Sequence, residues 1–439
     1  MAAVFGFGIG FQFYKKGLAL VGPVATAATS VTGTSFVANW NTYDGATTYY
    51  LDVSISSSFS TFVLQNQAVS APTTSYTVTG LTACTTYYYR VRAEGFAPTI
   101  SVAPTLSPSG SQITGTVITC GTGTWSSQGS IFNYKWKRNG VDITGATSNT
   151  YTIQAIDDGT TITCDVQNQN AFGKSAYVGT SNSVSATVPI LDTYTNAAVA
   201  YSVRKLRAAY TGNAIRVRRS TDNAEQNIGF ANGGNLDTTA LTAFCGAGNG
   251  FVTTWYDQSG NGNNLRQTTA ANQPQIVSSG SVLTINTKPY LYFTSQGEMQ
   301  FTSILNFQSV DSSLFLVNKR LNSVSANDAV LEGNGGYIYL NYSTIIAYGS
   351  NFFGANSALN YNLFTATNDV GANLFIYRNN VNIGTKNPST GTGVTAEYLM
   401  RRAFGQNDYL FTELIMYAID QNSVRNDINT NINNYYAIY

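Results

Sequence analysis

The sequence predicts an all-β fold, and three observations carry the prediction. Charged residues make up 10% of the 439 positions, against a usual ~25%. The chain is instead heavy in Thr, Ser, Asn, Gly and Tyr, a mixture poor in helix formers and suited to strands and turns. Apolar residues recur with period 2, as in Tyr87, Tyr89, Val91 and in Tyr151, Ile153, which gives strands one buried face. The length allows about three domains, each large enough to bury a core.

The same composition narrows the chemistry. A net charge of +1 offers no basic field for nucleic acid or an anionic membrane, so neither nucleic-acid binding nor membrane insertion is expected. Histidine is absent, which removes imidazole bases and the commonest metal ligand. The four cysteines, Cys84, Cys120, Cys164 and Cys245, are too scattered for a zinc site or a disulfide scaffold. No cofactor or metal is expected, and any catalysis falls to carboxylates.

Residues 1–22 form a separate N-terminal segment. Phe5, Phe7, Ile9, Phe11 and Phe13 alternate with small or polar residues, which places five apolar side chains on one face of a strand. Lys15 and Lys16 follow the apolar run instead of preceding it, unlike a secretory signal, and the run is too short to span a bilayer as a helix. The strand either packs on its own chain or docks by edge addition into a larger particle as an attachment segment. An atypical signal is a third reading.

Residues 23–96 contain Trp40 in SFVANW, the strand YYLDVS from Tyr49, and LTACTTYYYRVRA from Leu81. This set resembles a fibronectin type III domain, with Ala83 where that family's pattern has proline. Cys84 falls in the turn before the strand and reads as an exposed thiol. Residues 97–189 carry Cys120, Trp136 and Cys164 in the order of an immunoglobulin-type sandwich. Asp158 takes the corner position of that resemblance, while Ile162 replaces the corner tyrosine. The oxidation state of Cys120 and Cys164 is left open. Both small domains read as spacers, joined by short proline-containing junctions.

Residues 190–439 hold the most informative run, WYDQSGNGNN from Trp255 to Asn264, preceded by AYTGNAIRVRRSTDNAEQNIGF from Ala209. These residues resemble the catalytic domain of the arabinofuranosidase B family, which implies a concanavalin A-like jelly-roll sandwich. Strand-like segments follow at 290–293, 313–319, 336–341, 362–368 and 374–384, the last a hairpin turning at Asn379-Asn380, where positive φ suits Asn. A closing strand to Met416 precedes a helix from about Ser423, whose apolar stripe is Ile428, Ile432 and Tyr435.

Enzymes of that family need two carboxylates, a nucleophile and a general acid. By the resemblance, Glu332 in AVLEGNGGYIYL lies near the nucleophile segment, without the family's adjoining cysteine pair. Phe404-Gly405-Gln406-Asn407 corresponds to the family's Gly-Gly-Asp-Asn run, so Gln406 stands where the acid is expected. An amide cannot donate that proton. Asp408 replaces it only if the loop shifts, and Cys245 matches half of a family disulfide whose partner is missing. Glu332 and Asp408 are therefore weak catalytic candidates. Asp257 reads either as a turn former bonding the backbone of residues 258–261 or, with Asn263, as a sugar contact. Of Trp255 and Tyr256, at least one reads as core and an exposed one as a stacking platform. The carbohydrate-binding candidates are Asp257, Asn263, Tyr256 and Gln406.

Taken together, the resemblances imply a phage virion surface protein: a head fibre, spike or tail-associated decoration. The N-terminal segment would join capsid or tail proteins, and the C-terminal lectin-like domain, no longer an enzyme, would bind host or mucosal glycans. Such a protein is made in the host cytoplasm without a signal peptide, and a homotrimer or other homo-oligomer fits it. One alternative is an active glycoside hydrolase or depolymerase of arabinofuranosidase type using Glu332 and Asp408. A secreted bacterial adhesin is another.

Overall fold

The period-2 alternation of the sequence becomes alternating burial in the computed structural model of the chain. In Phe36–Trp40 residues 36, 38 and 40 are buried, and in Thr161–Asn170 every second residue is. The fold class is all-β, as the composition predicts. The structure describes residues 22–306, 310–321, 361–369, 373–386, 395–400 and 408–439, together with strand backbone at 13–15, 18–20, 328–333, 336–340, 344–347 and 350–353. Two units are distinguished. One comprises Met1–Ser111, Val117–Ile153 and Gly159–Ala186; the other comprises Gln112–Thr116, Gln154–Asp158 and Thr187–Tyr439.

The described residues of the first unit form two hydrophobic cores. In the N-terminal one, the sheet of Ala25–Thr29, Phe36–Trp40 and Ser75–Val78 faces that of Leu64–Ser70, Ala46–Ser54 and Tyr88–Gly95. Trp40 fills the space between them, its ring 5.6 Å from that of Tyr49. Tyr87 is buried and its hydroxyl accepts from the Thr82 backbone N–H at 2.9 Å, which closes the turn that leaves Cys84 exposed. The second core centres on Trp136, 5.4 Å from Tyr151, with Nε1 donating to the Ser148 carbonyl at 2.8 Å. Cys120 and Cys164 are buried free thiols.

At the corner before Thr161–Asn170, the expected aspartate is displaced by one position. Asp157 is the buried residue, accepting from the Gln154 backbone N–H at 2.8 Å, whereas Asp158 is exposed and accepts from Val188 N–H at 2.8 Å. The glycine at 159 adopts φ +67 and takes the turn one residue early, which accounts for the shift.

The second unit is a larger sandwich whose strands are hydrogen-bonded in a continuous circuit. Its central strand, Tyr409–Tyr417, is buried at all nine positions because it has sheet neighbours on both edges and layers on both faces. The Asn379-Asn380 turn lies between paired Arg378 and Val381, and both asparagines adopt positive φ, 49° and 64°, as the primed hairpin turn demands. The C-terminal helix runs Arg425–Tyr436. Its buried stripe is Ile428, Ile432 and Tyr436, so the last member is one residue beyond the expected Tyr435. Steps of four keep all three on one face.

Candidate functional site

The register of the large sandwich aligns a polar row across successive strands. Asn227 pairs with Arg216, Arg216 with Thr254, Thr254 with Arg266, Arg266 with Gln300, Gln300 with Tyr398, and Tyr398 with Glu332. Directly opposed residues of antiparallel strands share a face. Asn227, Arg216, Arg266 and Gln300 are exposed, Tyr398 is half-buried and Thr254 is buried beneath its neighbours. The adjoining row, Ile228, Ile215, Trp255, Leu265 and Phe301, is buried, so the polar row lies on the outer face of a sheet whose inner face is core. Glu332 joins this row by its backbone pairing in Asp328–Gly333. The sequence gives little sign of the row, because its members come from seven separate strands.

Asp408 lies where two strands begin and end. It immediately precedes Tyr409, which pairs with Phe293 and Arg320, and its carbonyl accepts from Leu321 N–H at 2.8 Å. Its carboxylate is half-buried: Oδ2 accepts from the Tyr292 hydroxyl and Oδ1 from the Ser295 backbone N–H, both at 2.8 Å. Burial, and next the hydrogen bond to Asp408, push the Tyr292 phenol up to about 12. Leu399 is in register with both Met299 and Leu331, the residue before Glu332.

The loop after Gly250–Trp255 is organised by its own side chains. Asp257 is buried and accepts from the backbone N–H groups of Ala200 (2.9 Å), Ser259 (2.9 Å) and Asn263 (3.1 Å) and from the Ser259 hydroxyl (2.8 Å). Asn263 is buried too. Its Oδ1 accepts from Ser303 N–H and Thr302 Oγ1, and its Nδ2 donates to the Ser303 carbonyl. Gln258, fully buried, donates to the Ser202 and Arg204 carbonyls and accepts from Leu206 N–H. Gly260 and Gly262 take φ +97 and +74, and a Cβ on Gly260 would stand 3.0 Å from Arg207 Nη1. Asp257 and Asn263 thus hold this loop together through their side chains. Their polar atoms are committed to backbone that would otherwise be buried without partners. Trp255 is core. Tyr256 is half-buried and its hydroxyl donates to Asn227 Oδ1 at 2.8 Å, at the head of the polar row.

A buried ionic cluster escaped the sequence reading. Glu413, inaccessible in the middle of Tyr409–Tyr417, binds Arg204 through both oxygens at 2.8 and 2.9 Å and accepts from Ser202 Oγ at 2.7 Å and Tyr436 Oη at 3.1 Å. One glutamate inside an apolar nine-residue strand was the available signal. Among the described residues no group of three or more Asp, Glu, Cys or His side chains could hold a metal. Gln406, Phe5, Phe7, Ile9 and Phe11 lie outside the described residues; Phe13 opens a short strand paired with Leu18–Leu20, of which the backbone alone is described.

Comparison with known proteins bears on this unit. Residues 191–288 match the family described as Alpha-L-arabinofuranosidase B, catalytic. Over 66 residues the chain is 39% identical to an arabinofuranosidase/B-xylosidase of Trichoderma koningii, a match covering 15% of this chain and 13% of that protein. Over 67 residues it is 40% identical to a probable alpha-L-arabinofuranosidase B of Aspergillus terreus, again 15% of this chain and 13% of the relative. The matched segment thus spans about an eighth of the length of these curated relatives. A crystal structure of an arabinofuranosidase complexed with arabinofuranosyl-alpha-1,2-xylobiose is similar with a TM-score of 0.45 and 18% identity, over 57% of this chain and 64% of that one. The C-terminal region therefore resembles an arabinofuranosidase B catalytic domain. These matches to glycoside hydrolases count against the expectation of a glycan-binding phage virion protein and against the leaning away from an enzyme; they favour the alternative, a glycoside hydrolase of arabinofuranosidase type.

Proposed function

We propose that the C-terminal unit is the catalytic domain of a glycoside hydrolase acting on arabinofuranosyl groups, with Glu332 and Asp408 as its carboxylate pair. The observation that carries this reading is the family match over residues 191–288, reinforced by 39% identity over 66 residues and 40% over 67 to two arabinofuranosidases. Glycoside hydrolysis of this type needs a carboxylate on each side of the scissile bond. Glu332 acts as nucleophile at the anomeric carbon and Asp408 protonates the leaving oxygen. Water then releases the sugar, with Asp408 taking up the proton it needs for the next cycle. Tyr292 and Ser295 fix the orientation of Asp408. Along the row from Glu332 come Tyr398, whose ring offers a stacking face for the sugar ring, then Gln300 and, farther out, Arg266, whose amide and guanidinium can meet sugar hydroxyls.

The test is hydrolysis of an aryl α-L-arabinofuranoside by the full chain and by Glu332→Gln. Turnover by the parent, reduced in Glu332→Gln by roughly 10²-fold or more, is the expected result. Asp408→Asn should lose more with a poor leaving group than with an activated aryl one, since the latter needs little protonation. A folded parent chain with no turnover, or turnover untouched by Glu332→Gln, would overturn the proposal.

A further inference from the structure

A cleft of about 530 Å³ opens elsewhere on the large unit, lined by Asn235, Thr238, Thr239, Thr284, Lys288 and Tyr435 among others. It lies away from Asp408. Lys288 and Tyr292, whose hydroxyl holds Asp408, are four residues apart on extended chain, roughly 13 Å. The size is that of a small-molecule site.

The charges around the cleft do not balance. The Tyr435 ring is shared by two cations, Lys288 Nζ at 4.0 Å and the Arg204 guanidinium carbon at 4.9 Å from its centroid. Glu413 answers Arg204 through both oxygens, and Tyr435 is pinned by its hydroxyl to Asn235 Oδ1 at 2.7 Å. Lys288 is half-buried, and among the described residues its ammonium makes no ion pair and no hydrogen bond, resting instead on the Tyr435 ring. Burial first, and then the charge of Arg204, draw its proton affinity below that of an ordinary lysine. An ammonium desolvated on an aromatic face beside a second cation lacks one negative charge. Around it the Thr238, Thr239 and Thr284 hydroxyls line the cleft. Each can both donate and accept.

We propose that this cleft binds a carboxylate-bearing sugar, a hexuronate residue whose acid group pairs with Lys288 while its ring hydroxyls meet the threonines. A bare anion would satisfy the lysine and leave most of the 530 Å³ and the hydroxyl lining without a role. The inference stands independently of the hydrolysis proposed above, because none of its residues takes part in that reaction.

Binding of glucuronate, glucose, acetate and inorganic phosphate to the full chain, followed by calorimetry or by NMR titration, tests it. Glucuronate should bind at least about tenfold more tightly than glucose or either simple anion. Lys288→Gln should weaken glucuronate by at least about tenfold, while Lys288→Arg, which keeps the charge, should stay within about threefold. Thermal denaturation of both variants separates a lost site from a lost fold. Equal affinity for acetate or phosphate, equal affinity for glucose, no glucuronate binding by the folded chain, or binding unchanged in folded Lys288→Gln would each overturn the proposal.

Discussion

At the scale of single residues, side chains that look like ligand contacts in the sequence divide according to what surrounds them. The Asp-Gln-Ser-Gly-Asn-Gly-Asn run reads equally as a turn and as a polar site, since both need short side chains with oxygen and amide groups. Burial decides between the two. Asp257 accepts four hydrogen bonds, three of them from backbone N–H groups, inside the loop it organises. Its removal would leave buried donors without partners, each costing about 1–3 kcal/mol before relaxation. Asp257→Ala should therefore lower stability by about 3 kcal/mol in denaturant unfolding, with KM for an aryl arabinofuranoside unchanged in the surviving folded fraction. A raised KM at unaltered stability would restore Asp257 as a sugar contact. Glu413 shows the opposite limit of legibility. A glutamate in FTELIMY can be seen to be out of place, but its partner Arg204 is 209 positions away and no local pattern names it.

At the scale of elements, most strands and the last helix were visible because alternation and helical spacing are local properties. The segments read at 362–368 and 374–384 become the strands Asn362–Asn368, Leu374–Arg378 and Val381–Lys386. The polar row was not visible. It depends on which strands lie side by side, and Arg266 meets Gln300, and Gln300 meets Tyr398, only through that order. The row gives its own prediction. If, as proposed, substrate hydroxyls rest on Gln300 and Arg266 away from the reacting carbon, they are bound alike in ground and transition state, so loss of these contacts raises KM and leaves kcat in place. Gln300→Ala and Arg266→Ala should each raise KM about five- to tenfold, a loss of about 1 kcal/mol or slightly more per uncharged or exposed contact. Both positions are exposed, so thermal stability should hardly move. A fall in kcat with KM unchanged would place these side chains at the reacting centre instead.

At the scale of the whole molecule, the described residues form three hydrophobic cores, two within the first unit and one within the second. Each has a large aromatic that only its own neighbours bury: Trp40, Trp136 and Trp255. If the activity belongs to the unit containing the last core, heat inactivation must follow the melting of that core alone. Scanning calorimetry should then resolve more than one transition, since chains built from separate cores depart from two-state unfolding. Glu413→Gln removes the buried partner of Arg204, a change that costs about 3–5 kcal/mol. In a unit of this size each kcal/mol shifts the midpoint by about 2–4 °C, so one transition should fall by roughly 10 °C and the temperature of inactivation with it. Trp136→Leu opens a cavity in a different core and should lower another transition while the inactivation temperature stays fixed. Inactivation that tracked the Trp136→Leu transition would mean that hydrolysis depends on the first unit, and that residues 191–288 and the strands beyond them do not suffice for it.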